Sequence, residues 1–143
     1  MSWGDYIEKM IVNNEQKNHK NCCCAGAIIG LNGSIYAQGG EDFKSTAPEI
    51  VKAISGDLNQ CIALNIGKTR YQVTQRSTDP FPCMYLKSTG GGACIAKAKT
   101  LVVVGIFDTN KKVKKTSGEF AQNVGDCNTA VEDCTSSLIG NNC

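Results

Sequence analysis

The sequence predicts an α+β domain: a central antiparallel β-sheet with N- and C-terminal helices packed on one face and short helices on the other. Three observations point there. Two apolar runs, AGAIIG and SIYAQ, flank Asn32-Gly33, a pair that tolerates the positive φ of a type I′ hairpin turn. LVVVGIF (residues 101–107) is an almost unbroken apolar run, as expected of the most buried strand in a sheet. Both ends of the chain carry apolar residues at helical spacing.

In chain order, Ser2 caps a first helix with Asp5 three residues on, and Trp3, Tyr6, Met10 and Ile11 form its apolar stripe. Residues 13–21 are polar and unpatterned, hence a loop. The hairpin follows, with strands over residues 24–31 and 34–38. In STAPEIVKAIS, Ser45 or Thr46 caps a short helix, Pro48 suits its first turn, and Ile50, Val51 and Ile54 face inward. Strands are expected at 61–66, 71–76, 83–87, 93–97 and 101–107. Thr89-Gly90-Gly91-Gly92 lacks the Lys-Ser/Thr of a phosphate loop and precedes a strand, so it reads as a hairpin turn. Phe120, Val124, Cys127, Val131, Cys134 and Leu138 alternate spacings of four and three, predicting a helix over residues 117–139. The two terminal helices then lie side by side, bringing Trp3 and Tyr6 near the end of the last one.

A chain of 143 residues with no repeat or linker reads as one domain, residues 1–143. Its 15 basic and 13 acidic side chains give a net charge of +2, which argues against a dedicated nucleic-acid binder. Asp5, Glu8 and Lys9 interrupt the first apolar residues, so a signal peptide is not expected and a soluble, cytoplasmic protein is. Nine cysteines form an odd set with no CxxC pair and read as mostly free thiols. Cys22, Cys23 and Cys24 point to alternate faces of a strand and do not converge on one metal; His19, in a polar loop, reads as solvated.

No nucleophile–base pair, paired carboxylates or cofactor loop emerges, so an enzyme and a cofactor are not expected and a binding module is. The kind of binding comes from a resemblance. MSW with Tyr6, AGAIIGLNGSIYAQ (25–38), KSTGGG (87–92), LVVVGIFD (101–108) and GDCNTAVED (125–133) follow in the order and near the spacing found in the profilin family; residues 56–82 depart most. That resemblance implies a cytoplasmic, cytoskeleton-associated protein that binds monomeric actin, proline-rich ligands and acidic phosphoinositides. It implies a polyproline groove at Trp3, Tyr6, Tyr36, Ser137 and Cys143, where Tyr36 replaces a common tryptophan. Ser137 and Cys143 replace frequent His or Tyr, predicting a weaker polyproline site. It implies actin contacts from Arg70, Val73, Gln75, Tyr85, Lys87, Lys97 and Asn128, with Gln75 and Tyr85 where arginine is frequent.

Relative to the family, KKVKKTSGEFAQNV lengthens the connection before the last helix by about ten residues. Its Lys111, Lys112, Lys114 and Lys115 are candidates for anionic lipid headgroups. Two rival readings accompany the main one: a thiol-based redox or metal-binding protein, and a polyproline scaffold without actin binding. Zinc uptake or loss of activity on alkylation distinguishes the first; actin binding distinguishes the second.

Overall fold

The computed structural model describes residues 2–143. Its chain opens with α1, Trp3–Tyr6, which continues as a π-helical turn, Ile7–Val12. The capping box forms as predicted: the Asp5 N–H donates to Ser2 Oγ at 3.2 Å and the Ser2 N–H to Asp5 Oδ2 at 3.0 Å. The wider turn directs Ile7, Met10 and Ile11 into the core. Ile11 lies so close to Gly26 that a Cβ there would approach its Cγ2 to 2.7 Å.

Seven antiparallel strands form the main sheet: β1 (Ala25–Gly30), β2 (Ile35–Gly39), β3 (Ala63–Ile66), β4 (Thr69–Ser77), β5 (Cys83–Ser88), β6 (Gly91–Lys97) and β7 (Leu101–Asp108). They lie in the order β2-β1-β7-β6-β5-β4-β3. Side-chain alternation divides the core into two clusters. Leu101, Val103 and Phe107 of β7 face the terminal helices, whereas Val102, Val104 and Ile106 face α2 (Ala47–Ser55). At Gly105 the C-terminal helix comes so near that a Cβ would stand 2.5 Å from Val131 Cγ2 and 3.1 Å from Cys23 Sγ.

Three local expectations require correction. The β1–β2 connection is not a two-residue type I′ turn. Gly33 alone takes positive φ (87°), Asn32 Oδ1 accepts the Ser34 N–H at 3.0 Å, and Gly30 N donates to Ser34 O at 2.7 Å. Neither Ser45 nor Thr46 caps α2 through its side chain, because the Thr46 hydroxyl turns away to accept Gly67 N–H.

The largest difference concerns the predicted helix over 117–139. The helix is α3, Val124–Gly140, capped by Asn123, whose Oδ1 accepts Asp126 N–H at 2.9 Å. The preceding segment is a second hairpin, β8 (Lys112–Lys115) and β9 (Gly118–Ala121), which turns through Gly118 at φ 137°. In KVKK only Val113 is buried, and it faces Phe120 across the pair, so period-two alternation wins over the helical spacing. Phe120 and Val124, expected on the buried stripe, are exposed.

Candidate functional site

At one end of the sheet three aromatic rings from two chain segments stand together. Trp3 is stacked on Tyr36, with centroids 5.2 Å apart and planes inclined by 30°, and lies 6.0 Å from Tyr6. The Tyr36 ring lies across Gly30, where a Cβ would fall 2.5 Å from its hydroxyl; glycine leaves room for the stack. Trp3 and Tyr6 are half-buried and Tyr36 is 43% exposed, so the rings form a partly uncovered seat rather than core.

The end of α3 closes one side of this seat. Asn141 Nδ2 donates to Tyr6 Oη at 3.2 Å, and Cys143 packs against the cluster that also holds Trp3 and Tyr6. The Cys143 carbonyl accepts both the N–H and the hydroxyl of Thr100, at 2.5 and 3.0 Å, tying the end of the chain to the β6–β7 turn. Ser137 sits one turn before Asn141, half-buried. Asn141 was absent from the sequence-predicted set; the polar GNNC tail gives no signal beyond its place after the helix.

The predicted actin residues split by strand parity. Cross-strand neighbours Gln72↔Lys87 and Gln75↔Tyr85 place Lys87, Gln75 and Tyr85 on the α3 side, and Arg70 shares the side of Gln72. Asn128, on α3 one turn before Glu132, joins them: Tyr85 Oη donates to Glu132 Oε1 at 2.6 Å. Burial, then that bond, pushes the Tyr85 phenol far above its usual range. Asn128 Oδ1 is buried without a hydrogen-bond partner among the described residues.

Val73 and Lys97 do not join this surface. Val73 precedes a register shift in β4 and packs against the α2-side cluster. Lys97 shares the parity of Ala93 and Ile95 and borders a depression formed with Leu31, Pro48 and Val51.

Beside Lys87 a cleft of about 580 Å³ opens between the β5–β6 turn and the start of α3, lined by Thr74, Phe107, Ala121, Asn123 and Val124. Among the described residues neither Arg70 nor Lys87 has a carboxylate partner, Arg70 Nη1 donating instead to Asn65 Oδ1 at 3.3 Å, and the ion pairs converge on Asp126. Lys115 reaches Asp126 at 2.9 Å and lies 5.6 Å from the Phe120 ring centre, so it serves the hairpin's own structure. Lys111, Lys112 and Lys114 remain exposed, with Lys20 bridged to Lys114.

The buried thiols are poor nucleophiles. Burial pushes Cys22 and Cys134 up to about 12 and Cys83 to about 11, and Cys94 is raised by the same cause. Cys23 and Cys127 touch at 3.5 Å inside the core. Among the described residues no group of three or more His, Cys, Asp or Glu is arranged to hold a metal ion, and no helix is long and apolar enough to cross a membrane.

An antiparallel sheet under paired terminal helices, with an aromatic seat at one end and a polar face beside a cleft at another, defines a binding module. The Profilin family model matches residues 1–143, and the chain belongs to the profilin family. Its fold is similar to Acanthamoeba castellanii profilin IB (18% identity, covering 99% of this chain and 100% of that one, TM-score 0.73). It also resembles Schizosaccharomyces pombe profilin (14%, 97% and 98%, 0.73). LokiProfilin2, solved in complex with rabbit actin, is similar at 16% identity over 85% and 87% of the chains, with a TM-score of 0.66.

Proposed function

We propose that this protein binds monomeric actin and proline-rich segments, and through them regulates actin polymerisation in the cytoplasm, with acidic phosphoinositides as a third ligand. The observation that carries the reading is the Trp3 ring, stacked on Tyr36 and flanked by Tyr6 at the end of α3 while still partly uncovered.

A polyproline II helix has no internal hydrogen bonds and arrives preformed, so it loses little entropy on docking. Its rings lie flat on the aromatic faces. Trp3 Nε1–H, which has no partner among the described residues, donates to a ligand carbonyl. Ser137 and Cys143 line the α3 side with small groups, which supports a site weaker than one walled by His and Tyr.

The actin contact is assigned to Arg70, Gln75, Tyr85, Lys87 and Asn128, which the sheet register and α3 gather on one side. Family membership and the actin complex of LokiProfilin2 support it. Phosphoinositide headgroups are assigned to Lys111, Lys112 and Lys114, each contributing about 1 kcal/mol near an anionic surface. Lys115 supports the hairpin that carries them.

Pyrene-actin assembly tests the central claim. Spontaneous polymerisation should slow in proportion to added protein; unchanged assembly at a several-fold molar excess of protein over actin would leave only the polyproline scaffold.

A further inference from the structure

We propose that the depression at the β1–β2 turn is a second subsite for proline-rich partners, one that takes an aliphatic residue with carboxylate neighbours lying a few positions beyond the proline run. The inference rests on the polyproline reading above and adds to it a means of reading the flanking sequence.

The depression, of about 510 Å³, lies on the α2 side of the sheet. Pro48, Val51 and Lys52 enter it from one stripe of α2, and Leu31, which follows β1 and is 41% exposed, completes its apolar surface. Lys52 and Lys97 add two ammonium groups, and no lining residue is acidic. Among the described residues neither lysine forms an ion pair; Lys97 Nζ donates to Ala98 O at 3.4 Å and has two further N–H groups to offer a ligand. Exposed aliphatic surface beside unpaired cations is complementary to an apolar side chain flanked by carboxylates.

Continuity with the aromatic seat supplies the route by which such a residue arrives. Tyr36 Oη and Asn32 Oδ1 both lie over Gly30, where a Cβ would stand 2.5 Å from the first and 3.1 Å from the second. Asn32 also lines the depression, so the turn joins the seat on the α3 side to the depression on the α2 side around the end of the sheet. Lys97 belongs to the same end, because its partner Val102 follows Leu101, which pairs with Gly30. A polyproline II chain advances about 3.1 Å per residue and one packed layer is about 10 Å deep, so about four residues carry a ligand from the Tyr36 ring to Leu31. The turn they cross is already ordered. Gly30 N–H donates to Ser34 O at 2.7 Å and Gly33 N–H to Gly30 O at 2.9 Å, while a Cβ at Gly33 would stand 3.5 Å from Pro48 Cγ. A preformed surface loses little conformational freedom when a ligand lies across it.

Calorimetric titration of the full-length chain tests the subsite with an oligoproline flanked by Gly-Ser, the same run followed by a Gly-Ser spacer and Glu-Leu-Glu, and a peptide with that acidic flank placed first. One of the two acidic peptides should bind about fivefold more tightly than the plain run, and added salt should reduce the gain. Lys52→Glu and Leu31→Ser should each remove most of that gain and leave affinity for the plain run at the parent value. Equal affinity for all the peptides, or a gain that survives both substitutions, overturns the subsite and leaves the polyproline reading standing. Failure of every peptide to bind overturns both. Binding of an acidic peptide alone, lost in Lys52→Glu, upholds the subsite and counts against the Trp3 seat. Lys52 is exposed, so a lowered unfolding midpoint in Leu31→Ser leaves the decision to Lys52→Glu.

Discussion

The aromatic seat and the cleft-side face are assembled by different rules. The seat is a local stack: Trp3 lies on Tyr36 and beside Tyr6, and α3 adds one hydrogen bond from Asn141. The face is a product of register, in which Gln75, Tyr85 and Lys87 share a side because antiparallel pairing puts them there. A stack fails when one ring is lost or displaced, whereas a face distributed over three elements yields gradually. Single substitutions should therefore separate the two proposed contacts cleanly at the seat and only partially at the face.

The sharpest break of that comparison is Trp3→Ala. The indole is the central ring of the stack, and anchors of this type are worth about 2 kcal/mol or more, so oligoproline binding should fall about 30-fold or further. Calorimetric titration reads this without relying on the lost fluorophore. Actin affinity should be unaltered; a parallel loss there would mean that the two regions are one.

The charged hairpin gives the next effect. Replacing Lys112 and Lys114 with Gln should reduce cosedimentation with phosphoinositide vesicles about tenfold, and added salt should shrink the difference. Equal binding by the variant would assign any lipid attraction elsewhere. Gly30→Ala is milder and more selective. Its Cβ would stand 2.5 Å from the Tyr36 hydroxyl, and because that ring is an exposed, movable group it should swing aside. Oligoproline affinity should drop about threefold with little change in stability, a shift of under 1 kcal/mol.

How much of this was legible differs by region. Trp3 and Tyr6 stood out because rings at a chain end are conspicuous and the capping box fixes α1 locally, whereas Tyr36 was singled out only through the family resemblance. The face was only partly readable. A strand's parity is plain in sequence until a bulge intervenes: Val73 follows Tyr71 to the α2 side by simple alternation, and the shift between Val73 and Gln75 brings Gln75 to the α3 side with no residue-level signal. Lys97 is simpler: counting forward along β6 from Ala93 and Ile95 puts it on that side too. The β8–β9 hairpin was hidden by coincidence, since Phe120, Val124 and Cys127 keep helical spacing across a strand, a cap and a helix. The signals against a helix were the alternation in KVKK and the Thr-Ser-Gly turn before Glu119.

Two core thiols contribute to stability at high pH. Cys22 and Cys134 are raised to about 12 from an ordinary 9.0. The unfolded chain therefore loses these protons first as pH rises. Their contribution is complete below pH 9 and is lost progressively between pH 9 and 12, which denaturant midpoints across that window should record.

The smallest effect probes what holds the second region together. Burial pushes the Asp126 carboxyl up, but hydrogen bonds from Lys115 and Asn123 outweigh it and hold it below the ordinary 3.8. Its place in the first turn of α3 adds the favourable helix dipole. With a lowered folded pKa, the stabilisation is present above the unfolded value and disappears as pH falls through the folded one. Denaturant midpoints from pH 5 to pH 2 should therefore decline in the parent, and Asp126→Asn should remove that part of the slope at a cost of about 1 kcal/mol at neutral pH. The same substitution frees Lys115 from α3 while leaving the seat at the other end of that helix intact. Actin affinity should then weaken slightly as the β8–β9 hairpin loosens from the helix that carries Asn128, and oligoproline affinity should not respond; a matched loss of both would show that the hairpin tether stabilises α3 as a whole rather than orienting one surface.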